Sequence, residues 1–503
     1  MRSPSRTDRA RFIHDGRGLN DMLRYDLFYL TAALLASPVV AVRLLATGKR
    51  RTDWRGRFGH VGVLEVPSSP TDAAPPGPED SPDRSAGHAV GEVSGAPARR
   101  RPTVLVHGVS VGEVAAVRQL VGLLAARARV VVSSTTDTGF ARARALYGNR
   151  HAVVRYPLDL SWMVRRFLDA VRPDVVALTE LEVWPNFVTE CTKRGIPVCV
   201  VNGRLSASSY RGYRRARGWV RPVFRQLAAV AAQNEVYAGR FTDLGVPRDR
   251  VRVTDTMKWD TSGRPPPGSR RADPAPTAPA AAEALATALG LDRTRPLIVA
   301  GSTGPGEEKE LIATRPPGAQ LLLVPRKPER FDAVAALHPA IRRRSRARSA
   351  PTDLFLLDTM GELELAYALA DVAVVGRSFA PMGGSDPIPP VAAGCATIIG
   401  PHHENFADVV SALAAGGGIT VTDTPMAAAT RLLDDPDARR RMARNGQRVI
   451  EEHRGASART VDLVSGLLRS RGDHAAGAVG LSFPSTPRPP SDPSPPRPER
   501  SGP

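Results

Sequence analysis

The chain has 503 residues, enough for two domains, and 42% of them are hydrophobic. Lysine and arginine exceed aspartate and glutamate by 69 − 50 = 19, which favours an anionic partner such as a phosphorylated substrate, a membrane surface or nucleic acid. An arginine-rich coding bias explains the same excess equally well. Three cysteines without CxxC spacing argue against a disulfide framework and a structural zinc site, and favour reduced cytosolic thiols.

Near the amino terminus, the sequence LFYLTAALLASPVVAV forms an uncharged run over 27–42 with basic residues on both sides. A full helical span needs roughly 20 apolar residues, so the run is slightly short. The dense basic stretch after it favours retention on the cytoplasmic side over cleavage as a signal peptide. We predict an extension over 1–22 and an uncleaved membrane anchor or interfacial helix with its basic flank over 23–65. A buried helix of the first domain is the alternative.

Three stretches are rich in proline, serine and glycine and poor in large apolar residues: 66–101, 262–282 and 471–503. None can bury enough surface to offset the entropy of ordering, so we predict that all three are disordered. The first is interpreted as an insertion after the anchor, the second as an insertion near an interdomain linker, and the third as a tail.

Short apolar runs alternate with helical patterns in the two segments between these stretches, 102–261 and 283–470. The first segment has strand patterns at 103–108, 130–135, 153–157, 174–180 and 197–203, and helical patterns at 111–127, 138–148, 162–173 and 187–195. The second has strand patterns at 296–302, 320–326, 353–358, 372–377 and 396–401, and helical patterns near 328–342, 361–370 and 404–415. This order predicts an α/β chain with two Rossmann-like, doubly wound domains facing a cleft.

The motif HGVSVGEVAA, 107–116, joins the first strand to its helix. Ser110 suits the helix N-cap, and Gly112 permits close approach of the backbone. Glu113 then falls in the first helical turn, where a carboxylate is favoured by the helix dipole. Two interpretations stay open on spacing alone: a helix-start residue, or a general base facing the cleft.

The motif TELEVWPN, 179–186, places Glu180 and Glu182 at the end of another strand, beside a tryptophan and an asparagine. Polar residues crowded at a strand end predict a ligand contact, and a solvated loop with a packed tryptophan is the alternative.

The motif NGRLSASSYRGYRR, 202–215, combines four arginines with three serines. Guanidinium groups bind phosphate in bidentate fashion, so the motif predicts a phosphate contact. A solvated basic face is the alternative.

The second half carries a glycine-rich turn, GSTGPGEEKE at 301–310, suited to holding an anion on backbone N–H groups. The turn is neither a P-loop nor a GxGxxG fingerprint. VPRKPERF (324–331), DTMGEL (358–363) and GGSDPIPP (383–390) also follow strands. Four such loops at one edge of a sheet predict a pocket for a nucleotide or nucleotide sugar.

Taken together, these motifs resemble the 3-deoxy-D-manno-octulosonic acid (Kdo) transferases, inverting glycosyltransferases of the GT-B fold. The resemblance extends from about residue 22 to about residue 465 and is interrupted by the two proline-rich insertions. The motifs that carry it, in chain order, are HGVSVGEV, PLDL (157–160), ELEVWPN, NGRLSASSYRGY, LGVPRDRVRVTDTMKWD (244–260), GSTGPGEE, PRKPERF, DTMGEL and GPHHENF (400–406).

The resemblance implies transfer of Kdo from CMP-Kdo to a lipid A precursor (lipid IVA) in lipopolysaccharide biosynthesis. The catalytic domains would lie on the cytoplasmic face of the inner membrane. It implies a general base at Glu113, supported by Glu180, Glu182 and Lys258. The implied CMP-binding residues are Ser302, Pro325, Arg326, Met360, Gly361, Glu362, Gly384, Ser385 and Asp386. The implied acceptor-binding residues are Ser110, Gly112, Arg204, Ser206 and Arg211. No metal, no cofactor besides the donor substrate and no nucleic acid are expected.

The chain departs from the family pattern in the donor half. The loop that usually reads GGHN-x-x-EP is GGSDPIPP here, so that Ser385 and Asp386 replace histidine and asparagine, and Pro389 replaces the glutamate that holds the ribose. Lys327 and Gly304 stand where histidines are usual. Two alternatives therefore stay open: a related GT-B transferase with another nucleotide-sugar donor, and a catalytically weak membrane protein that binds the lipid A precursor.

Overall fold

The computed structural model describes residues 22–31, 34, 52–62, 64, 100–260, 278–346 and 351–475. The predicted extension before residue 22 and nearly all of the three proline-rich stretches lie outside the described residues. No helix among the described residues is both long enough and apolar enough to cross a membrane. Within the predicted anchor segment 23–65, residues 32–33, 35–51, 63 and 65 lie outside the described residues.

The first domain is built on a parallel sheet whose described part has seven strands in the order β3-β2-β1-β4-β5-β6-β7. The strands are β1 (Thr103–His107), β2 (Arg129–Ser134), β3 (Ala152–Arg155), β4 (Val175–Thr179), β5 (Val198–Gly203), β6 (Ala229–Ala232) and β7 (Val251–Val253). The central strands are valine-rich and buried on both faces, because helices cover both sides of the sheet.

The helices of this domain are α1 (22–31), α2 (Trp54–Arg57), α3 (Val111–Ala116), α4 (Arg118–Ala125), α5 (Asp137–Tyr147), α6 (Ser161–Val171), α7 (Pro185–Lys193), α8 (Ala207–Arg215), α9 (Arg217–Phe224) and α10 (Glu235–Leu244). Short 3-10 turns cover Arg248–Arg250 and Met257–Asp260. The single helix predicted over 111–127 is wrong: it is two helices, because the backbone of Val117 leaves helical geometry at φ −85° and ψ 8°.

The second domain repeats the design, and its described residues also form a seven-stranded parallel sheet, in the order β10-β11-β9-β8-β12-β13-β14. The strands are β8 (Leu297–Thr303), β9 (Gln320–Pro325), β10 (Arg342–Arg343), β11 (Leu354–Leu356), β12 (Val372–Val375), β13 (Ala396–Ile399) and β14 (Thr420–Val421). The prediction of two Rossmann-like parallel sheets is therefore confirmed.

The helices of the second half are α11 (Ala278–Leu289), α12 (Glu307–Ala313), α13 (Phe331–Ala335), α14 (Leu363–Leu369), α15 (Ile388–Ala392), α16 (Ala407–Ala415), α17 (Pro425–Asp434), α18 (Pro436–His453) and α19 (Ala456–Ala475), with 3-10 turns at Pro328–Arg330 and Glu404–Phe406. The helix predicted near 328–342 is wrong in length. It ends at Ala335, and it could not continue as far as 342, because Pro339 disfavours helical geometry in the residue before it.

The last helix, α19, returns to the first domain. Its apolar side chains are buried in the core that α4 forms against the first sheet; they are Ala456, Val461, Val464 and Leu467. Near its end, Arg471 Nη1 donates to the carbonyl oxygens of Pro173, at 3.0 Å, and Asp174, at 2.7 Å. The chain therefore crosses between the domains twice, and α19 fastens the second crossing.

A buried carboxylate holds the start of α19. Asp260 accepts hydrogen bonds from the backbone N–H of Gly455 at 2.8 Å and of Ser457 at 2.6 Å. The guanidinium of Arg459 donates in turn to the carbonyl oxygen of Thr254 at 2.8 Å. Both ends of the segment 254–260 are thus tied to the start of this helix.

We predict that Asp260→Ala lowers the free energy of unfolding by about 1–2 kcal/mol, because it leaves two backbone donors at the helix start without their acceptor. Urea denaturation followed by circular dichroism measures the change. The matched control is Asp462→Ala on the same helix, where an exposed carboxylate pairs with Arg127 at 3.4 Å. We expect the control to cost less than about 1 kcal/mol, and an equal loss in both variants would contradict this role of Asp260.

Candidate active site in the interdomain cleft

The strand order reverses near the middle of each sheet, and ligands of such sheets bind beyond the carboxyl ends of the strands at that point. In the first sheet the reversal lies between β1 and β4. Glu113 follows β1, and Glu180 and Glu182 follow β4. In the second sheet the reversal lies between β8 and β12. The predicted catalytic carboxylates therefore gather where the fold places a ligand.

Glu113 is partly buried and its carboxylate is fixed on one side. Oε2 accepts from the backbone N–H of Val109 at 2.9 Å, and Oε1 accepts from the Ser110 hydroxyl at 2.7 Å. Ser110 Oγ in turn accepts from the Glu113 N–H at 3.3 Å, closing a variant of the capping box. The structural and the chemical interpretation are compatible, since two hydrogen bonds leave further acceptor positions on a carboxylate.

Three carboxylates share this edge and influence one another. Burial raises the pKa of Glu182 to about 7, with further contributions from Glu113 and Glu180, while the bond from Trp184 Nε1 at 2.8 Å lowers it. Burial also raises the pKa of Glu180, again with a contribution from Glu113, and the charges of Arg204 and Lys258 act in the opposite direction. The edge thus concentrates negative charge in a poorly solvated place, which is typical of functional sites.

Two residues at these strand ends hold left-handed backbone conformations that non-glycine residues seldom adopt: Glu180, with φ 61°, and Asn202, with φ 52°. Asn202 is fully buried, and its Oδ1 accepts from the backbone N–H of Met257 at 3.0 Å. This bond connects the NGR motif to the segment 254–260, and it fixes the residue that precedes Lys258.

Lys258 joins the two domains electrostatically. Its ammonium nitrogen lies 4.2 Å from the ring centroid of Phe406 in the second domain. Burial lowers its pKa, whereas Asp386, Glu180 and Asp408 act to raise it. The predicted catalytic lysine therefore lies between the acidic edge of the first domain and the donor loop of the second.

The predicted acceptor residues lie on the same side of the first sheet. Ser110 and Gly112 begin α3, and Arg204 follows β5 near Glu180 and Lys258. Ser206 is the N-cap of α8 and accepts from the N–H of Ser209 at 3.2 Å. Arg211 lies further along α8, where its side chain is exposed to solvent.

In the second domain, the predicted donor residues meet across adjacent strands. Ser302, at the end of β8, has φ 56°, and its carbonyl oxygen accepts from the Ser385 hydroxyl at 3.3 Å. Gly384 has φ 76°, and a Cβ there would lie 2.9 Å from the Cα of His403, so the loop requires glycine. Asp386 accepts from the N–H of Ile388 at 3.0 Å, and burial raises its pKa.

The other predicted donor residues line the neighbouring strand ends. Pro325 closes β9, and Arg326 is exposed with its backbone N–H bound to the Thr303 carbonyl oxygen at 3.1 Å. Met360 is 69% exposed and Gly361 has φ 91°. Glu362 accepts from Thr359 Oγ1 and, at 3.4 Å, from Arg344 Nη2. Pro389 lies in the first turn of α15, where its missing N–H costs no helical bond.

The glycine-rich turn after β8 differs from its sequence interpretation as a cradle for a bound anion. One backbone N–H of the turn binds the chain's own carboxylate: Glu307 accepts from the N–H of Gly304 at 2.7 Å. Glu307 also accepts from two N–H groups in the loop after β12, those of Arg377 at 2.7 Å and Phe379 at 3.1 Å. Glu307 thus connects the loops that follow β8 and β12. The two glutamates of the GEE motif, Glu307 and Glu308, are visible in the sequence, but the motif does not reveal which donors they bind.

A second buried network was missed at the acidic edge. Asp159, in the PLDL motif, accepts from the backbone N–H of Asn186 at 3.0 Å and of Phe187 at 2.8 Å. Asn186 Nδ2 donates to Asp26 of α1 at 2.8 Å. Burial raises the pKa of Asp159 to about 7, and the two N–H donors lower it. This network fixes the turn that carries Glu182.

Comparison with known proteins decides the family. The family described as 3-deoxy-D-manno-octulosonic-acid transferase (kdotransferase) matches residues 84–261. The 3-deoxy-D-manno-octulosonic acid transferase of Haemophilus influenzae is 32% identical over 380 residues, covering 72% of this chain and 86% of the relative. That of Bordetella pertussis is 35% identical over 398 residues, covering 73% and 88%.

The chain belongs to the Kdo transferase family. The resemblance in the ordered motifs is therefore confirmed, and the chain is a glycosyltransferase. Among solved structures, a glycosyltransferase from Rickettsia africae matches with a TM-score of 0.51 at 10% identity, covering 73% of this chain and 99% of that one. At that identity the likeness concerns the fold alone, which agrees with two Rossmann-like domains facing a cleft.

The raised pKa of Glu182 predicts a pH-dependent stability. A carboxyl whose pKa rises from 4.5 to about 7 on folding stabilises the fold below pH 4.5, and that contribution is lost as the pH rises through 7. We expect Glu182→Gln, which can still accept from Trp184, to gain about 1–3 kcal/mol relative to the parent protein on going from pH 5 to pH 8.

Urea unfolding at both pH values measures this difference. The control is Glu329→Gln in the exposed 3-10 turn of the second domain, and the gain of Glu182→Gln between the two pH values should exceed that of this control. A pH-independent effect of Glu182→Gln would contradict the desolvation of this carboxyl.

Proposed function

We propose that this Kdo transferase moves Kdo from CMP-Kdo to a lipid A precursor, lipid IVA, with Glu113 as the general base. The observation that carries the proposal is the position of Glu113 at the strand-order reversal of the first sheet. Its carboxylate is held by Val109 and Ser110 and faces an edge that also bears Glu180, Glu182 and Lys258. A base held on one side presents its free lone pairs to the cleft, where an acceptor hydroxyl binds.

In the proposed reaction, the acceptor hydroxyl oxygen attacks the anomeric carbon of Kdo on the face opposite to CMP. The hydroxyl proton moves to Glu113, the new glycosidic bond forms, and the bond between the sugar and the CMP phosphate breaks. Burial and mutual repulsion raise the pKa of Glu180 and Glu182, so this edge favours a neutral hydroxyl over a further anion. Lys258, between the two domains, supplies positive charge for the donor carboxylate or the developing charge on the leaving phosphate.

The donor is assigned to the edge of the second sheet where the loops after β8, β9, β11 and β12 meet. Ser302, Arg326, Gly384 and Asp386 offer backbone groups, a guanidinium and a carboxylate there. Asp386 can accept from ribose hydroxyls, which compensates for Pro389 at the position of the usual glutamate. Basic residues and backbone N–H groups serve the leaving phosphate in this proposal, without a metal or a further cofactor.

The acceptor is assigned to the first domain, at the cytoplasmic face of the inner membrane. Exposed arginines on α8 and α9 suit the phosphates of a glycolipid, and each basic residue near an anionic surface contributes about 1 kcal/mol. The apolar run that continues α1 would hold this side of the domain at the bilayer, as an anchor or as an interfacial helix.

We expect Glu113→Gln to lower the rate of transfer by about 10²–10⁴-fold with little loss of stability, because glutamine can keep the capping interaction but cannot take the proton. The assay measures CMP release from CMP-Kdo in the presence of the acylated acceptor.

The matched variant is Ser110→Ala, which removes the cap and leaves the base. We expect it to lose about 1 kcal/mol of stability and to lower the transfer rate much less than Glu113→Gln does, because Val109 still holds the carboxylate. Transfer at the parental rate by Glu113→Gln would show that another group is the base. Absence of transfer by the parental protein with this donor would favour the alternative of another nucleotide sugar.

A further inference from the structure

An apolar pocket opens beside the acidic edge, between α1 and α9. It has a volume of about 480 Å³, and its walls include Tyr25, Phe28, Trp184, Tyr213, Trp219 and Val220. Among the described residues that line it, Glu182, the neighbour of Glu113, is the single charged one. The pocket is therefore continuous with the candidate active site but differs from it in chemistry.

The walls of the pocket are held in place before anything binds. Asp26 fastens α1 to the domain by accepting from the Ser161 N–H at 2.9 Å and from Asn186 Nδ2 at 2.8 Å. The Tyr25 hydroxyl donates to the carbonyl oxygen of Trp219 at 3.0 Å, and the two rings meet edge to face with centroids 6.0 Å apart. A preformed apolar pocket loses little entropy when it takes up an apolar guest.

The surroundings of the pocket show what kind of molecule it suits. Leucines 55–74% exposed lie on α1, at positions 23, 27 and 30, and beyond it at position 34. On the other side, the segment that supplies Tyr213, Ala216 and Trp219 also carries four exposed arginines, at positions 211, 214, 215 and 217. These surroundings suit an amphiphile: the apolar surface suits its hydrocarbon chains, the arginines suit its phosphates, and the candidate active site suits its sugar.

We propose that this pocket binds one fatty-acyl chain of the acceptor. The carbonyl end of the acyl chain would lie near Glu182 and its methyl end toward α1, so that the sugar to which it is attached lies toward Glu113. The inference rests on the proposed function for the identity of the acceptor, but binding of the acyl chain itself does not depend on it. Each methylene buried in such a pocket strengthens binding about fourfold.

The first test is calorimetry of the full-chain protein with octanoate, decanoate and dodecanoate. We expect one fatty-acid molecule to bind per protein molecule, with a dissociation constant that falls about fourfold per methylene until the pocket is full. Val220→Trp fills the pocket and should weaken binding at least tenfold. Val421→Trp, on the exposed edge strand β14, is the matched control and should bind as the parent does.

The second test is steady-state transfer to the acylated acceptor. We expect Val220→Trp to raise KM for the acceptor at least tenfold with kcat kept, and Val421→Trp to change neither. Ala216→Trp, at the rim of the pocket, provides a second filling variant if Val220→Trp melts well below the parental temperature.

The outcomes separate the two proposals. The inference is overturned if fatty acids do not bind, or if they bind equally well to the filled variants. The first result is also expected if residues 35–51 of the protein, or a second copy of it, cover the pocket. Binding that the filled variants abolish, together with unchanged KM for the acceptor, overturns its assignment to the acceptor. If the parental protein binds fatty acids but transfers no Kdo, the proposed function is overturned, whereas the assignment of the pocket to an acyl chain is kept.

Discussion

The segment 254–260 is the constraint on which the site depends, because it is fixed at both ends and carries Lys258 between them. Asn202 binds the backbone of Met257 at 3.0 Å, and Asp260 binds the backbone at the start of α19 at 2.8 and 2.6 Å. The acceptors are the buried side-chain oxygens of Asn202 and Asp260, and their loss would leave backbone N–H groups unpaired in the interior. This segment thereby places Lys258 between the edge of the first sheet and the donor loop of the second domain.

The electrostatics of the cleft follow from this arrangement. Three carboxylates crowd the edge of the first sheet, and burial together with mutual repulsion raises the pKa of Glu180 and Glu182. Glu113 is held differently from its neighbours, because Val109 and Ser110 each donate a hydrogen bond to one of its carboxylate oxygens. One local motif thus serves as helix cap and holds the base, which explains why Ser-x-x-Glu spacing alone could not separate the two interpretations.

Much of the fold could be predicted from the sequence, because valine-rich strands and the helices between them have distinct periods. The strand β6 was missed because its alanines carry little strand preference, and α8 because its exposed arginines hide the helical period. The motifs identified the candidate site residues that follow the strands of each sheet. They could not show that Glu307 fills its own glycine-rich turn, or that Asp159 and Asp26 reach Asn186, since such bonds join segments far apart in the chain.

The central claim is that Glu113 takes the proton of the acceptor hydroxyl, and the most direct measurement is a crystal structure with an unreactive donor analogue and the acylated acceptor. The account predicts the attacking hydroxyl oxygen at about 2.6–3.2 Å from a carboxylate oxygen of Glu113, with the donor on the edge of the second sheet. A hydroxyl held instead by Glu182 or Lys258, with Glu113 still bound only to Val109 and Ser110, would contradict it.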